Sequence, residues 1–227
     1  MQYYTITHAV DTKETGRAFP QAIFKNPKKL EPNPFLTANK ATDGSYPPDN
    51  NFPYDYLELN KGAKLTDLMS GPFMNGFLIS EKLKLIFEES TIKDYKIYDV
   101  ILFNKKEEVK GYYYFHSASC LRNYIDYEKS KFFVGLLSDV PKYDLPIVNS
   151  YNDLVELKKG IDFGDLIVAK ELYLNHQFPY QLDFFRLYAF NYDFFISQKL
   201  KTKIVSNNIT GVNITTANDL IKTPNLA

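Results

Sequence analysis

The sequence contains no tryptophan and only one cysteine, Cys120, among its 227 residues. A single cysteine excludes an internal disulfide, and a chain without such bridges is typical of a reducing compartment, so we expect a cytoplasmic protein. Histidine is also scarce. His8, His116 and His176 show neither the H-x-x-H nor the H-E-x-x-H spacing of common zinc sites. The sequence therefore predicts a protein with no metal and no cofactor.

Long hydrophobic runs are missing as well. The most apolar stretch, 184–196, is interrupted by Arg186, Asn191 and Asp193, and it falls short of the ~20 apolar residues that span a bilayer. The first eight residues do not show the basic segment and long apolar segment of a signal peptide. We therefore expect no membrane partner.

The chain also has no net charge, because 27 Lys and Arg balance 27 Asp and Glu. A neutral chain has no global field that attracts nucleic acid, so we expect no nucleic-acid partner. The aromatic run Tyr112-Tyr113-Tyr114-Phe115 keeps a nucleic-acid or glycan binding module as an alternative, since exposed rings can stack on bases. In a strand, however, alternate residues face opposite sides, and at least one pair of these rings should belong to the core.

Sequence motifs for catalysis are absent: there is no G-x-S-x-G elbow, no P-loop and no G-x-G-x-x-G. His116 precedes Cys120 by four residues, and a histidine can activate a nearby thiolate. This spacing keeps a cysteine-dependent enzyme using Cys120 and His116 as an alternative, although a free cysteine commonly packs as a small hydrophobic side chain. We predict no catalytic residues and no enzyme activity.

The most informative feature present is a short motif that occurs twice, FLISEKLK at 77–84 and FFISQKLK at 194–201, which we call the phrase. An ungapped alignment of 21 positions that starts on the two phrases contains eight identities. Each copy predicts a strand, a serine cap, an amphipathic helix and a second strand, with Ser80 and Ser197 as structural helix N-caps. We interpret the copies as two pseudo-repeated units, although convergence on a common recipe would give a similar pattern.

The remaining sequence predicts an α+β protein built mostly of short antiparallel strands and hairpins, with a few short helices. We expect a single unit over 1–227, which is long enough to bury a sizeable core. An irregular proline-rich segment at 15–52 interrupts it. Residues 53–117 and 118–220 are possible lobes of this unit.

Periodicity and turn signals place individual elements along the chain. We expect a helical turn near 65–69 and a helix over 81–90. The predicted strands are residues 3–10, 54–59, 95–103, 109–116, 131–137, 154–157, 166–174, 182–190 and 209–214. The charged segment 104–108 should join a hairpin, and Asn207-Asn208 should end the second helix in the left-handed conformation. The last dozen residues are expected to fray.

The sequence resembles the DUF1629 family. Three features carry this resemblance: the phrase pair, the run Ile125-Asp126-Tyr127-Glu128-Lys129-Ser130, and the ending Ile209-Thr210-Gly211-Val212-Asn213-Ile214. Members of that family are regarded as immunity proteins of bacterial polymorphic toxin systems, of the Imm11 and Imm43 kind. The resemblance supplies no catalytic residues. It implies a cytoplasmic protein that neutralises a toxin, often one encoded beside it.

Composition and resemblance together predict a non-catalytic binding protein, an immunity protein whose partner is a cognate toxin. A standard interface of that kind buries about 1,600 Å² and depends on a few aromatic or arginine hot spots. No residue pattern in the sequence points to the contact surface itself.

Overall fold

We describe the fold from a computed structural model, which defines residues 1–25, 46, 56–73, 75–135, 141–187 and 194–224. Most of the proline-rich segment 15–52 lies outside these residues, and its irregularity stays a prediction. Parts of three predicted strands, at 54–55, 136–137 and 188–190, lie outside them as well.

The described residues form sixteen strands and four α-helices. The strands are β1 (Tyr3–His8), β2 (Ala22–Phe24), β3 (Tyr56–Leu59), β4 (Leu68–Met69), β5 (Gly76–Ser80), β6 (Tyr95–Asp99), β7 (Ile101–Asn104), β8 (Glu107–Val109), β9 (Tyr112–Ser117), β10 (Ile125–Gly135), β11 (Pro141–Asp144), β12 (Leu166–Leu174), β13 (Phe184–Phe185), β14 (Phe194–Ser197), β15 (Val212–Thr216) and β16 (Ile221–Lys222). The helices are α1 (Thr12–Thr15), α2 (Glu81–Glu88), α3 (Tyr151–Lys158) and α4 (Gln198–Ser206).

The strands assemble into four sheets, with the orders β4-β5-β9-β6, β13-β14-β1-β15, β2-β3-β7-β8 and β11-β10-β12-β16. Among these strands every neighbouring pair is antiparallel except β3–β7 and β12–β16. This arrangement confirms the predicted α+β class with short, mostly antiparallel strands and a few short helices.

The first two sheets share one plan. In each, a two-residue strand (β4 or β13) pairs with the strand that begins the phrase (β5 or β14). The strand that follows the helix (β6 or β15) lies two positions further along the sheet. The position between them is filled by β9 in the first sheet and by the N-terminal β1 in the second. The N-terminus thereby completes the sheet built from β13, β14 and β15.

Ser80 and Ser197 occupy the N-cap positions of α2 and α4. Their hydroxyl oxygens accept hydrogen bonds from the amides of Leu83 and Leu200, which satisfies an amide that has no partner within its helix. Helix α2 ends at Glu88, two residues before the predicted end. At the end of α4, Asn208 has a φ of 48°, which confirms the predicted left-handed residue.

Both phrases contribute to one core. Leu83 of α2 and Leu200 of α4 are fully buried in it. Phe77 and Phe194, the first residues of the two phrases, contact each other with ring centroids 4.5 Å apart. Equivalent positions of the two units are therefore packed against each other.

Two aspartates anchor the capping serines. The hydroxyl of Ser80 donates to Asp67 Oδ1 at 2.6 Å, and that of Ser197 donates to Asp183 Oδ1 at 2.7 Å. The backbone repeats the contact, because the amide of each serine donates to the carbonyl oxygen of the same aspartate. Each helix start is thus fixed by a partner outside its own helix.

The second oxygen of each aspartate crosses to the opposite unit. Asp67 Oδ2 accepts the amide of Thr210 at 2.9 Å, and Asp183 Oδ2 accepts the amide of Thr91 at 3.0 Å. Within its own unit, Asp183 Oδ2 also accepts a hydrogen bond from the ammonium of Lys199 at 2.9 Å. Burial raises the pKa of either carboxyl, but the hydrogen bonds outweigh it and hold both pKa values below the ordinary one. The two carboxylates therefore link the units at neutral pH.

The predicted helical turn near 65–69 is wrong. Residues Leu68–Met69 form β4, and Leu68 pairs with Ile79 of β5. The amide of Leu68 donates to the carbonyl oxygen of Thr210, which is distant in sequence. This tertiary hydrogen bond outweighs the local preference for a turn.

The predicted strand at 154–157 is also wrong, because these residues lie within α3. Ser150 caps the helix by accepting the amide of Asp153. Leu154 and Leu157 are three residues apart and share one helix face. Three apolar residues in a four-residue segment cannot distinguish that helical face from a buried strand.

The C-terminal residues up to 224 are not frayed as predicted. Ala217 and Ile221 are buried, and β16 adds a parallel strand to β12, with Ile221 opposite Leu172. Packing against the core therefore orders a segment that its polar sequence did not favour.

Several predicted strands are confirmed with changes of length. Residues 3–8, 56–59 and 166–174 are strands as expected, and 131–135 belong to the longer β10. The predicted pair 95–103 and 109–116 is divided between two sheets, as β6 with β9 and β7 with β8. Of 182–187, only Phe184–Phe185 are strand, and the last predicted strand begins at Val212 instead of Ile209.

The sheet β11-β10-β12-β16 encloses a second large core, into which α3 packs through Leu154. Helix α3 contacts β12, whereas β11 lies two strands away at the open edge of the sheet. All four residues of β11 are exposed. The short helix and the edge strand define the walls of the groove described next.

Candidate protein-binding groove

A groove opens between the edge strand β11 and helix α3, with a cavity volume of about 720 Å³. Its lining consists of Tyr143, Leu145, Pro146, Ile147, Val148, Asp153, Glu156, Leu157, Gly160 and Ile161. Of these, Leu145, Leu157 and Ile161 are partly buried and pack against the core beneath. The floor of the groove is therefore continuous with the apolar interior.

Local sequence signals shape this groove. Pro146 has no amide hydrogen and restricts the residue before it to an extended conformation, so the chain leaves the sheet there. Leu145 keeps one last sheet contact, donating its amide to the carbonyl oxygen of Phe132 at 2.9 Å. Ser150 then starts α3, and Gly160 follows soon after its end. The result is a short helix that faces the edge of the sheet.

Two large apolar side chains of the lining are exposed to solvent. Tyr143 is 52% exposed and Ile147 77% exposed. Exposed apolar side chains in an apolar groove are typical of an interaction surface.

The charged residues of the lining are both acidic. Asp153 accepts the amide of Asn149 at 2.8 Å and the hydroxyl of Ser150 at 2.9 Å, and these hydrogen bonds lower the pKa of Asp153. Glu156 forms an exposed ion pair with Lys159, at 2.7 Å. The groove thus presents carboxylates beside its apolar surface at neutral pH.

Lys142 ties β11 to the loop after α3. Its ammonium lies 2.7 Å and 2.8 Å from the two carboxylate oxygens of Asp165, whose side chain is only 4% exposed. The hydrogen bond to Asp165 raises the pKa of Lys142. A register shift opposite Val134 and Gly135 makes Lys142 the extra residue of a bulge. This contact holds the edge strand β11 to the segment between α3 and β12.

The side chains that line the groove can bind both apolar groups and cations. Its apolar side chains can bury an apolar group, and its carboxylates can attract a cation. Across the described ranges, no three His, Cys, Asp or Glu side chains are grouped so that they could hold a metal ion. None of the described helices combines the length and the apolar character that crossing a bilayer requires.

Comparison with known families identifies the chain. The model of the immunity protein family Imm11 matches residues 2–219, which include the groove and both phrases. The chain belongs to the Imm11 family. The match confirms the resemblance to immunity proteins noted in the sequence, while a search of curated proteins finds no match.

The two residues of the enzyme alternative make different contacts in the Imm11 chain. His116 is buried on β9, and its Nδ1 lies 3.0 Å from the hydroxyl of Tyr114. Cys120 follows β9 and is partly exposed. Among the described residues, no hydrogen bond joins Cys120 to His116. The contact that thiolate activation requires is therefore not formed between them.

The aromatic run on β9 serves the core. Tyr114 and Phe115 are fully buried on opposite faces of the strand. Tyr112 and Tyr113 pack against the same two cores, and the hydroxyl of Tyr112 donates to the carbonyl oxygen of Thr66 at 3.1 Å. Burial raises the pKa of Tyr112 to about 12. Both faces of β9 are covered, so this run does not form an exposed platform for bases or sugars.

Sequence reasoning placed the capping serines but missed their partners and the groove. Asp67 and Asp183 lie thirteen and fourteen residues before the serines they bind, and no local motif marks such a distance. The groove did leave a signal: Tyr143 and Ile147 are large side chains set among prolines and charged residues. Large side chains in such loop-like sequence either anchor the loop to the core or remain exposed to solvent. The sequence alone does not distinguish the two cases.

Proposed function

We propose that this Imm11 protein neutralises a cognate bacterial toxin by direct, non-catalytic binding. The observation that carries the proposal is the open apolar groove between β11 and α3, whose lining includes the exposed Tyr143 and Ile147. Family membership supplies the kind of partner. A free cysteine and no disulfide fit action in the cytoplasm, where a toxin would meet its target.

Direct binding is favoured over an enzymatic mode of protection. The buried His116 is engaged by Tyr114 and not by Cys120. The carboxylates of the groove, Asp153 and Glu156, each have hydrogen-bonding or ionic partners. Because no hydrogen bond joins His116 to Cys120 among the described residues, this histidine does not activate the thiol as a nucleophile. The groove is therefore better suited to binding a partner than to modifying it.

We further propose that the two units are a structural repeat that acts as scaffold, not as the binding surface. In support, the equivalent residues Leu83 and Leu200 are buried in one core, and Ser80 and Ser197 make the same cap and the same aspartate contact. Residues committed to these internal contacts have little left to offer a partner. Convergence would instead predict caps without the matching aspartates.

The test is co-expression with the toxin encoded beside the gene. Bacteria that produce the toxin alone should stop growing, and bacteria that also produce this protein should grow. The purified pair should form a stable complex, and the toxin should be recovered unmodified by mass spectrometry. Protection without a complex, or a covalently altered toxin, would contradict direct non-catalytic binding.

A further inference from the structure

We propose that the groove between β11 and α3 receives a large apolar side chain of the toxin that is flanked by a lysine or arginine. This inference rests on the proposed function and adds the chemistry of the partner. It follows from three features of the groove: its apolar floor, the protected edge of its strand, and the sign of its charges.

The floor of the groove calls for an apolar group. Leu145, Leu157 and Ile161 line it while packing on the core, so a side chain placed there would extend the interior of the protein. A volume of about 720 Å³ lies within the roughly 300–1,000 Å³ of sites that bury drug-sized ligands. There is room for an aromatic or branched aliphatic side chain together with its neighbours.

The rim adds further apolar contact. Tyr143 and Ile147 belong to the lining and are 52% and 77% exposed, and each would move apolar surface out of water on contact with a partner. Burial of apolar area contributes roughly 25 cal/mol per Å², and anchors of this kind dominate binding when they fill a pocket. The rim and floor together favour side-chain insertion.

Pairing of a partner strand with β11 is the other way to use this edge, and the structure disfavours it. The strand has only four residues and begins with Pro141, which has no amide hydrogen. Lys142 is a bulge residue held by Asp165. Short length, proline, lysine and a bulge are the features that protect natural edge strands from pairing. Recognition should therefore depend on side chains in the groove.

The charges select a cationic neighbour for the inserted side chain. Among the described residues of the lining, the charged ones are Asp153 and Glu156, and Glu156 is paired with Lys159 outside the lining. The segment 141–165, which forms the groove, carries five carboxylates and three lysines, a formal charge of −2 in a chain whose net charge is 0. Opposite charge on the partner gives complementarity, steers association and fixes orientation.

The experiment measures the affinity of the neighbouring gene's toxin domain, in a catalytically inactive form, for the full-length protein by calorimetry. Ile147→Asp places a charge in the apolar rim and Glu156→Gln removes a groove carboxylate without changing its shape. The matched controls are Val205→Asp on α4, where the side chain is 61% exposed, and Glu128→Gln on β10, where it is also exposed. Circular dichroism checks the fold of every variant.

We expect Ile147→Asp to weaken binding at least about tenfold, as loss of a hot spot does. Glu156→Gln should weaken it about threefold or more at low salt and little at high salt, because the lost term is electrostatic and screened. Both controls should bind like the wild type. If Ile147→Asp fails to fold, Tyr143→Ser, at another exposed residue of the lining, replaces it as the apolar test.

The other outcomes overturn different parts. Groove variants that bind and protect as well as the controls overturn the groove as the docking site while leaving the proposed function intact. Loss of binding in Ile147→Asp with no effect of Glu156→Gln at either salt concentration overturns the cationic flank. A wild-type protein that neither binds nor protects overturns the proposed function, and the groove's role with it.

Discussion

Replacing Ser197 by alanine tests whether the buried aspartate strengthens an ordinary helix cap. The hydroxyl of Ser197 accepts the amide of Leu200 at 3.1 Å and donates to Asp183 at 2.7 Å. The side chain of Asp183 is only 3% exposed, so water cannot readily replace the lost donor. Alanine therefore removes both a cap and a hydrogen bond to a buried charge.

The magnitude follows from those two contacts. Loss of an N-cap serine typically costs about 1 kcal/mol, and a hydrogen bond to a charged group contributes roughly 1.5–3 kcal/mol. We expect Ser197→Ala to lower the free energy of unfolding by about 3 kcal/mol. Ser197→Thr, which keeps a hydroxyl, should recover most of this loss.

The control is Ser150, which caps α3 in the same way but donates to Asp153 on the surface. Water can solvate Asp153 when the hydroxyl is removed, so Ser150→Ala should cost only about the 1 kcal/mol of a plain cap. Urea unfolding followed by circular dichroism, with linear extrapolation to water, compares the two variants. Equal losses for Ser197→Ala and Ser150→Ala would refute the idea that the buried carboxylate adds to the cap.

Three further predictions test other contacts. The pKa of Asp67 is lowered on folding, so its stabilising contribution is complete above the unfolded pKa of about 4 and is lost as pH falls through the folded pKa. Asp67→Asn should therefore reduce the loss of unfolding free energy that the wild type shows between neutral and acidic pH. An unchanged dependence on pH would contradict this. Gly76→Ala should prevent normal folding, because its Cβ would lie 1.8 Å from a carbonyl oxygen of β9. Gly160→Ala is the control and should be tolerated, because its Cβ would lie 3.6 Å from the nearest atom. Equal melting temperatures for the two variants would contradict the close approach at Gly76. Lys142→Met should lower the melting temperature more than Lys142→Met combined with Asp165→Asn, because the single change leaves a buried carboxylate without its cation; the reverse order would show that the ion pair is not what holds the loop.

Much of the local structure could be predicted from short-range patterns. Ser80 and Ser197 were recognisable because an N-cap serine acts on an amide three residues away. The strand 166–174 was recognisable from its β-favouring composition and the turn signals around it. The segment 154–157 was not, since its three apolar residues fit a helix face and a strand equally.

The candidate site depended on contacts that short-range patterns do not contain. Lys142 meets Asp165 across a helix and a loop, and Tyr143 in the groove lining is exposed whereas Tyr114, the same residue type, is fully buried. Composition could therefore suggest a binding protein, but it could not say which aromatic residues face a partner.

The sequence by itself determined the local elements, because caps, periodicity and turn residues act over a few positions. Two serine-capped helices, short strands and a family resemblance could all be recognised from it. Only the tertiary structure decided how these elements meet. It paired Phe77 with Phe194 and placed β1 between β14 and β15. It also set α3 against the edge of a sheet so that a groove stayed open. These outcomes depend on burial and on hydrogen bonds between residues far apart in the chain, whose net balance no local pattern encodes.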